Sequence, residues 1–208
     1  MPRDLSDAEI KAFRARLCAV AEKLFAERGL HAVTMRELAR ELGVSAMTPY
    51  RYFQDKDEIL AAVRAAAFER FAEALERAAK VKGSAAARAN AVGRAYLDFA
   101  FKESNAYKLM FDVHQTTGGR FPDLDRAGRR ARRTMTDYMK ALVAEGYLSG
   151  DPEVLGQIFW ATVHGLVMLQ LTGRLDPKPD FTTLHQTAMR LLTQGAGGSL
   201  QTAKRRAS

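Results

Sequence analysis

The sequence predicts an all-α protein. Three observations lead there. Alanine, leucine, arginine and glutamate dominate while runs of β-branched residues are scarce; apolar residues recur at three- and four-residue steps; capping residues and glycines bracket the periodic stretches. Ala12, Leu17, Val20, Ala21, Leu24 and Phe25 share one face of a first helix, and Arg28-Gly29 stops it. Thr34 with Glu37 makes a capping box that opens a short helix through Leu42, closed by Gly43. Ser45 can cap another short helix ending near Phe53. Asp55 opens a long helix with Ile59, Leu60, Val63, Ala67, Phe71 and Leu75 on one side. Lys82-Gly83-Ser84 is the clearest break in the chain.

Beyond the break, residues 87–102 read as a helix with Val92, Tyr96, Leu97 and Phe99 buried, and Ser104 can cap a shorter one through His114. Thr116-Thr117-Gly118-Gly119 reads as a flexible turn. Residues 124–145 form a long helix ended by Gly146. Asp151-Pro152-Glu153, an N-cap followed by proline at the first helical position, starts the next, which stops at Gly173. Residues 181–192 form the last. The expected organisation is residues 1–82 as one domain with a connecting helix, 83–195 as a second, and 196–208 as a disordered basic tail.

Composition removes several classes of function. A chain of 208 residues with 47% apolar side chains can bury a sizeable core. One cysteine, Cys18, excludes an internal disulfide framework; it lies on an apolar face and reads as packing. His31, His114, His164 and His185 are scattered, so no metal and no cofactor is expected. No run approaches 18 consecutive apolar residues and the N-terminus lacks a signal-like stretch, so a soluble cytoplasmic protein without a membrane partner is expected. The net charge of +8 invites a polyanion, yet residues 1–82 carry 15 basic and 13 acidic side chains while 83–208 carry 17 and 11. Bulk charge is therefore a weak guide, and nucleic-acid binding has to rest on a motif.

Residues 34–53, TMRELARELGVSAMTPYRYF, supply one. Ala39 is small enough for two helices to approach, Gly43 four residues later allows a turn with positive φ, and Leu38, Leu42, Val44 and Phe53 attach the pair to supporting helices. This is the pattern of a helix-turn-helix, whose second helix would present Ala46, Met47, Thr48, Tyr50 and Tyr52 to a major groove. An ordinary helical hairpin is the bland alternative.

The flanks extend the pattern. Ala21, Leu24, Phe25, Gly29, Thr34, Ala39, Gly43-Val44-Ser45, Thr48, Tyr50, Tyr52-Phe53, Lys56 and Leu60 together resemble the N-terminal domain of TetR-family transcriptional regulators. The resemblance implies an N-terminal three-helix DNA-binding domain followed by a helical ligand-binding and dimerisation domain. It places Thr34 and Lys56 at helix N-termini facing the DNA backbone, and Tyr50 and Tyr52 on phosphate or sugar. Arg36 would reach guanine, and Ser45, Ala46, Met47 and Thr48 would lie along the groove. Met47 stands where the family often has a small residue and Pro49 where it has a buried leucine.

In the second domain, Trp160-X-X-X-His164-Gly165 and Tyr107-Lys-Leu-Met-Phe111 are similar to one TetR subgroup named for its Trp-His-Gly pattern. Tyr96, Phe99, Met110, Phe111, His114, Tyr138, Met139, Trp160, His164 and Met168 could line an effector cavity, although aromatics at helical spacing are more often core. The mid-helix Gly165 would suit a close helix crossing. Val154, Ile158, Gly165, Leu166 and Leu169, with Leu184, Met189 and Leu192, would bury a four-helix dimer face. The cluster Arg126, Arg129, Arg130, Arg132 and Arg133 either binds an anion or is a solvated face.

The expected function is thus a homodimeric, ligand-responsive repressor of a palindromic DNA operator, released by a small apolar or aromatic effector. It is not an enzyme. The rival is an all-helical small-molecule-binding protein or enzyme with no DNA role, against which stands the lack of any nucleophile–base motif.

Overall fold

The computed structural model describes residues 6–111 and 119–197. Among the described residues there are eight α-helices, one 3-10 turn and no strand. The helices are α1 (Asp7–Arg28), α2 (Met35–Glu41), α3 (Lys56–Ala78), α4 (Ala85–Lys102), α5 (Ser104–Met110), α6 (Pro122–Ala144), α7 (Pro152–Leu171) and α8 (Phe181–Gly195); the 3-10 turn is Pro49–Arg51. His114 and residues 198–208 of the basic tail lie outside the described residues, as does most of the turn expected around Thr116-Thr117.

The chain forms two compact units. Of the described residues, one unit takes those up to Glu69 and those between Asn105 and Gly128; the other takes Arg70–Ser104 and those from Arg129 onward. The break at residues 82–84 is the loop between α3 and α4, while the units part inside α3 and inside α6. The reason is that α5 and the head of α6 return to the first unit: Leu109 joins its core, and Phe121 and Leu124 pack with Ala61, Ala65 and Phe68. A reading by contiguous segments cannot see that return.

In the first unit, Leu17, Ala21, Leu24 and Phe25 of α1, Leu38 of α2, Phe53, and Ile59, Leu60 and Val63 of α3 form one buried cluster. Helix ends follow local chemistry. Ser6 and Glu9 make a reciprocal capping box on α1, and Thr34 and Glu37 make the one foreseen on α2. Gly43 has φ 68°, the left-handed turn its glycine was read for. Cys18 packs against this core, and burial pushes its thiol up to about 11, which disfavours the nucleophilic thiolate.

In the second unit, Ala85, Met139, Leu142, Leu148 and Phe159 anchor a core shared by α4, α6 and α7, with Phe71 edge-on to Tyr96 and Phe99 at 5.2 Å each. Asp151 caps α7 and Pro152 opens it as expected, and α8 runs three residues beyond Leu192. The close helix crossing is at Gly156, where a Cβ would lie 3.2 Å from the Met135 carbonyl oxygen; at Gly165 a Cβ would meet nothing within 4 Å. The crossing expected at Gly165 is therefore one helical stretch earlier inside this chain. α7 also has an 18-residue window of mean hydropathy 1.5, long and apolar enough to cross a membrane by length and composition, and only 17% of that window is buried within the chain. The test for an unbroken apolar run missed it because Thr162, His164 and Gly165 interrupt the run.

Replacing Gly156 by valine should force α7 off α6 and destabilise the fold by about 1–3 kcal/mol, the usual range for overpacking. Gly165→Ala should leave the isolated chain's packing unchanged. Chemical denaturation of both variants checks the contrast.

Candidate nucleic-acid interface

The segment between α2 and α3 is not an α-helix. Thr48 N–H donates to Ser45 O, Arg51 N–H to Thr48 O, and Tyr52 N–H to Pro49 O, an i to i+3 ladder. Proline explains it. Pro49 has no N–H for the Ser45 carbonyl, so that carbonyl accepts from Thr48 instead and the turn tightens. The helix expected from Ser45 to Phe53 is thus reduced to a turn and three 3-10 residues. Ser45 and Thr48 hydroxyls still meet at 2.9 Å, and Pro49 is buried where an apolar anchor was expected.

On this turn Ser45, Ala46, Met47, Tyr50 and Arg51 are exposed, as are Thr34 and Arg36 beside it. Met47 is 68% and Tyr50 46% exposed, so two large apolar side chains stand out from an otherwise well-buried unit. Three expected contacts have other engagements. The Thr34 hydroxyl donates to Glu37 Oε2 at 3.0 Å and accepts from Glu37 N–H; the Thr34 backbone N–H, donating to the same Oε2 at 2.8 Å, and then the hydroxyl hold the Glu37 carboxyl below the usual range. The half-buried Tyr52 stacks on Phe13 at 4.1 Å, which makes its ring a support of the turn. Lys56 Nζ donates to the Leu30 carbonyl at 2.7 Å, so its ammonium ties α3 to the end of α1.

The second unit holds a cavity of about 260 Å³ between α4, α6, α7 and α8. Tyr96, Tyr138, Met139 and Trp160, four of the residues singled out in the sequence, line it. Phe99, His164 and Met168 do not: Phe99 turns to Phe71, and His164 lies 5.8 Å from Trp160 on the helix but off the cavity. Met110 and Phe111 belong to the first unit, where Phe111 packs edge-on to Phe68 and Tyr107. Met189, assigned to a dimer face, lines the cavity, and Leu192 packs into the core of the same unit.

Comparison with known proteins now decides the family. Residues 17–63 match the description "bacterial regulatory proteins, tetR family", and residues 89–192, half of the chain, match "tetracyclin repressor-like, C-terminal domain". The chain belongs to the TetR family of bacterial transcriptional regulators. The regulator is 30% identical over 104 residues to the HTH-type transcriptional activator FasR of Mycolicibacterium smegmatis, a match covering 50% of this chain and 48% of that one. The chain thus spans about half the length of that relative. A protein with unknown function from Rhodococcus sp. RHA1 superposes with a TM-score of 0.76 at 28% identity over 94% of this chain and 98% of the other. The transcriptional regulator FadR from Bacillus subtilis, in complex with stearoyl-CoA, shares the fold with a TM-score of 0.72 at 20% identity, over 87% and 98%. The family is one of DNA-binding regulators and not of enzymes, and its helix-turn-helix is the DNA-binding element.

Residues that escaped the sequence reading complete both sites. Arg14 donates to the Tyr52 carbonyl, lies 3.9 Å from the Phe53 ring centroid and pairs with Glu58 at 3.2 Å. In the cavity, Asn90 and Arg94 of α4 and His185 and Thr193 of α8 were missed. The signal was present: His185, Met189 and Thr193 recur every four residues, one inward stripe. Burial lowers the His164 and His185 imidazoles below their ordinary value and raises the Tyr138 phenol. Of the arginine cluster, Arg130 makes a two-pronged pair with Glu76 at 2.8 and 2.6 Å and Arg126 pairs with Asp123; Arg129, Arg132 and Arg133 are exposed.

Tyr52→Ala should cost about 2 kcal/mol by removing the Phe13 stack, whereas Tyr50→Ala should stay within about 0.5 kcal/mol of the parent; urea titration separates them. A pH effect follows from the histidines. Their folded values are depressed, so the unfolded chain takes up protons that the folded chain refuses, and stability present above about pH 6.5 is lost as pH falls below it. The depressed carboxyls Glu37 and Glu76 act lower, under about pH 4.5. The melting temperature should therefore fall between pH 7.5 and 5.5, with a flatter slope in the His164→Gln, His185→Gln double variant.

Proposed function

We propose that the regulator is a cytoplasmic homodimer that represses transcription from a palindromic operator and is released when a small apolar or aromatic effector enters the second-unit cavity. The observation that carries this reading is the exposed set Ala46, Met47 and Tyr50, on a turn held from below by buried side chains, with Arg36 exposed on α2. Met47 suits a thymine methyl, Arg36 a guanine edge, and Tyr50 a phosphate or sugar. Ser45, Thr48, Thr34 and Lys56 lie close around them, with the last two also serving the fold.

Dimerisation is supported by α7. Val154, Ile158 and Leu169 are exposed and share a stripe with Gly165, whose open Cβ position would let a second helix approach. Leu166 and Leu184 flank it half-buried, and Leu191, 59% exposed, replaces Met189 and Leu192 as the outward leucine of α8. Two copies of this face would cover α7. Half-sites would then lie about 34–36 Å apart on one side of the duplex. The effector role is supported by the cavity and by stearoyl-CoA in the complex of the Bacillus subtilis regulator. The Trp160–His164–Gly165 pattern supports membership of the second domain in the Trp-His-Gly subgroup.

Gel-shift titration on DNA from upstream of the regulator's own gene tests the proposal. The parent protein should bind with a steep loss of affinity as salt rises. Tyr50→Ala and Arg36→Ala should each weaken binding about tenfold, with melting temperature unchanged. Ile158→Arg should sediment as a monomer and lose operator binding. A parent protein that ignores this DNA at low salt, or an Ile158→Arg variant that stays dimeric and bound, would overturn the reading.

A further inference from the structure

The chemistry of the cavity goes further, taking as its basis the reading of that cavity as the effector site. Its walls, Met139, Leu142, Phe159 and Trp160, are apolar. Its volume of about 260 Å³ lies just below the usual range of ligand sites, roughly 300–1,000 Å³. A short chain or one ring system is the body that fits.

The rim differs in character. Arg94 is the one charged side chain among the lining residues if His185 is neutral, as its lowered imidazole value favours; Arg94 is exposed and makes no ion pair with any described residue. Asn90 lies one turn away on the same helix face, also exposed. Between them is Gly93, in mid-helix and without a positive φ; a Cβ there would meet nothing within 4 Å. Neither backbone geometry nor close packing calls for a glycine, which in a helix interior is unfavourable against alanine. Its effect is to leave the space over the cavity open. Inside, Tyr138 has its hydroxyl without a hydrogen bond to any described residue.

We propose that the cavity takes an amphipathic anion, its apolar body lying between Met139, Phe159 and Trp160 and its carboxylate held at the rim by Arg94 and Asn90, with entry over Gly93. A guanidinium with no partner of its own is the group that distinguishes a carboxylate from an alcohol of the same length. Tyr138 offers one further donor to the ligand from within.

Trp160 is the only tryptophan in the chain and lines the cavity, so its fluorescence reports occupancy directly. The full-length protein at pH 7.5 is titrated with octanoate, 1-octanol and octylammonium. Octanoate should bind about tenfold more tightly than 1-octanol, and octylammonium most weakly. Arg94→Gln should erase the preference for the acid and leave 1-octanol unchanged. Gly93→Leu should weaken acid and alcohol alike by about tenfold, with a melting temperature no lower than the parent's. If 1-octanol binds as well as octanoate, or if Arg94→Gln keeps the preference, the anion assignment is wrong and the effector cavity stands. If none of the three probes changes the fluorescence, the cavity reading itself falls.

Discussion

The exposed turn between α2 and α3 depends on one guanidinium beneath it. Residues 45–53 make only short-range i to i+3 and i+4 backbone bonds, too few to fix a surface by themselves. Arg14 supplies what is missing. It binds the Tyr52 carbonyl, covers the Phe53 ring and pairs with Glu58, whose other oxygen takes the Gln54 N–H at 2.7 Å. One side chain from α1 thus joins the end of the turn to the start of α3. With Pro49 and Phe53 buried and Tyr52 stacked on Phe13, the residues left outward are those that can meet a groove. Ordering them beforehand reduces the entropy lost on binding.

The helices were legible in the sequence because their signals are local. Ser or Thr with Glu three residues on, Asp before Pro152 and Gly43 in the turn each act within one helical turn of their own position. What was not legible depends on distant partners. Tyr52 reads as a free phenol until Phe13, 39 positions earlier, is found against it. The hydrogen bond from the Lys56 ammonium to the Leu30 carbonyl, 26 positions earlier, has no signal in the sequence. Pro49 was seen, but its consequence, a 3-10 turn in place of a helix, follows from a carbonyl that must find another donor.

The second unit was harder for a different reason. α7 is apolar nearly all round, so periodicity cannot say which side faces the cavity, the core or a partner. Aromatic content picked out Trp160 and Tyr138, which line the cavity, together with Phe99 and Phe111, which do not, since large rings are equally at home in a packed core and in a cavity wall. α8 is amphipathic, and there the four-residue stripe of His185, Met189 and Thr193 could have corrected the assignment.

Three of the glycines inside helices, Gly93, Gly156 and Gly165, look alike in sequence, each unfavourable by about 1 kcal/mol against alanine. Only Gly156 is explained within the chain, by the Met135 carbonyl pressed against it. The other two face open space, and their neighbours distinguish them. Gly165 is set among Ile158 and Leu169, an exposed apolar surface that gains by losing contact with water, so it suits another protein backbone. Gly93 is set among Asn90 and Arg94, which keep their hydration unless a polar ligand replaces it. The same missing methyl group thus serves helix packing at Gly156, and under the two proposals above it would serve self-association at Gly165 and ligand entry at Gly93, the polarity around each gap distinguishing them.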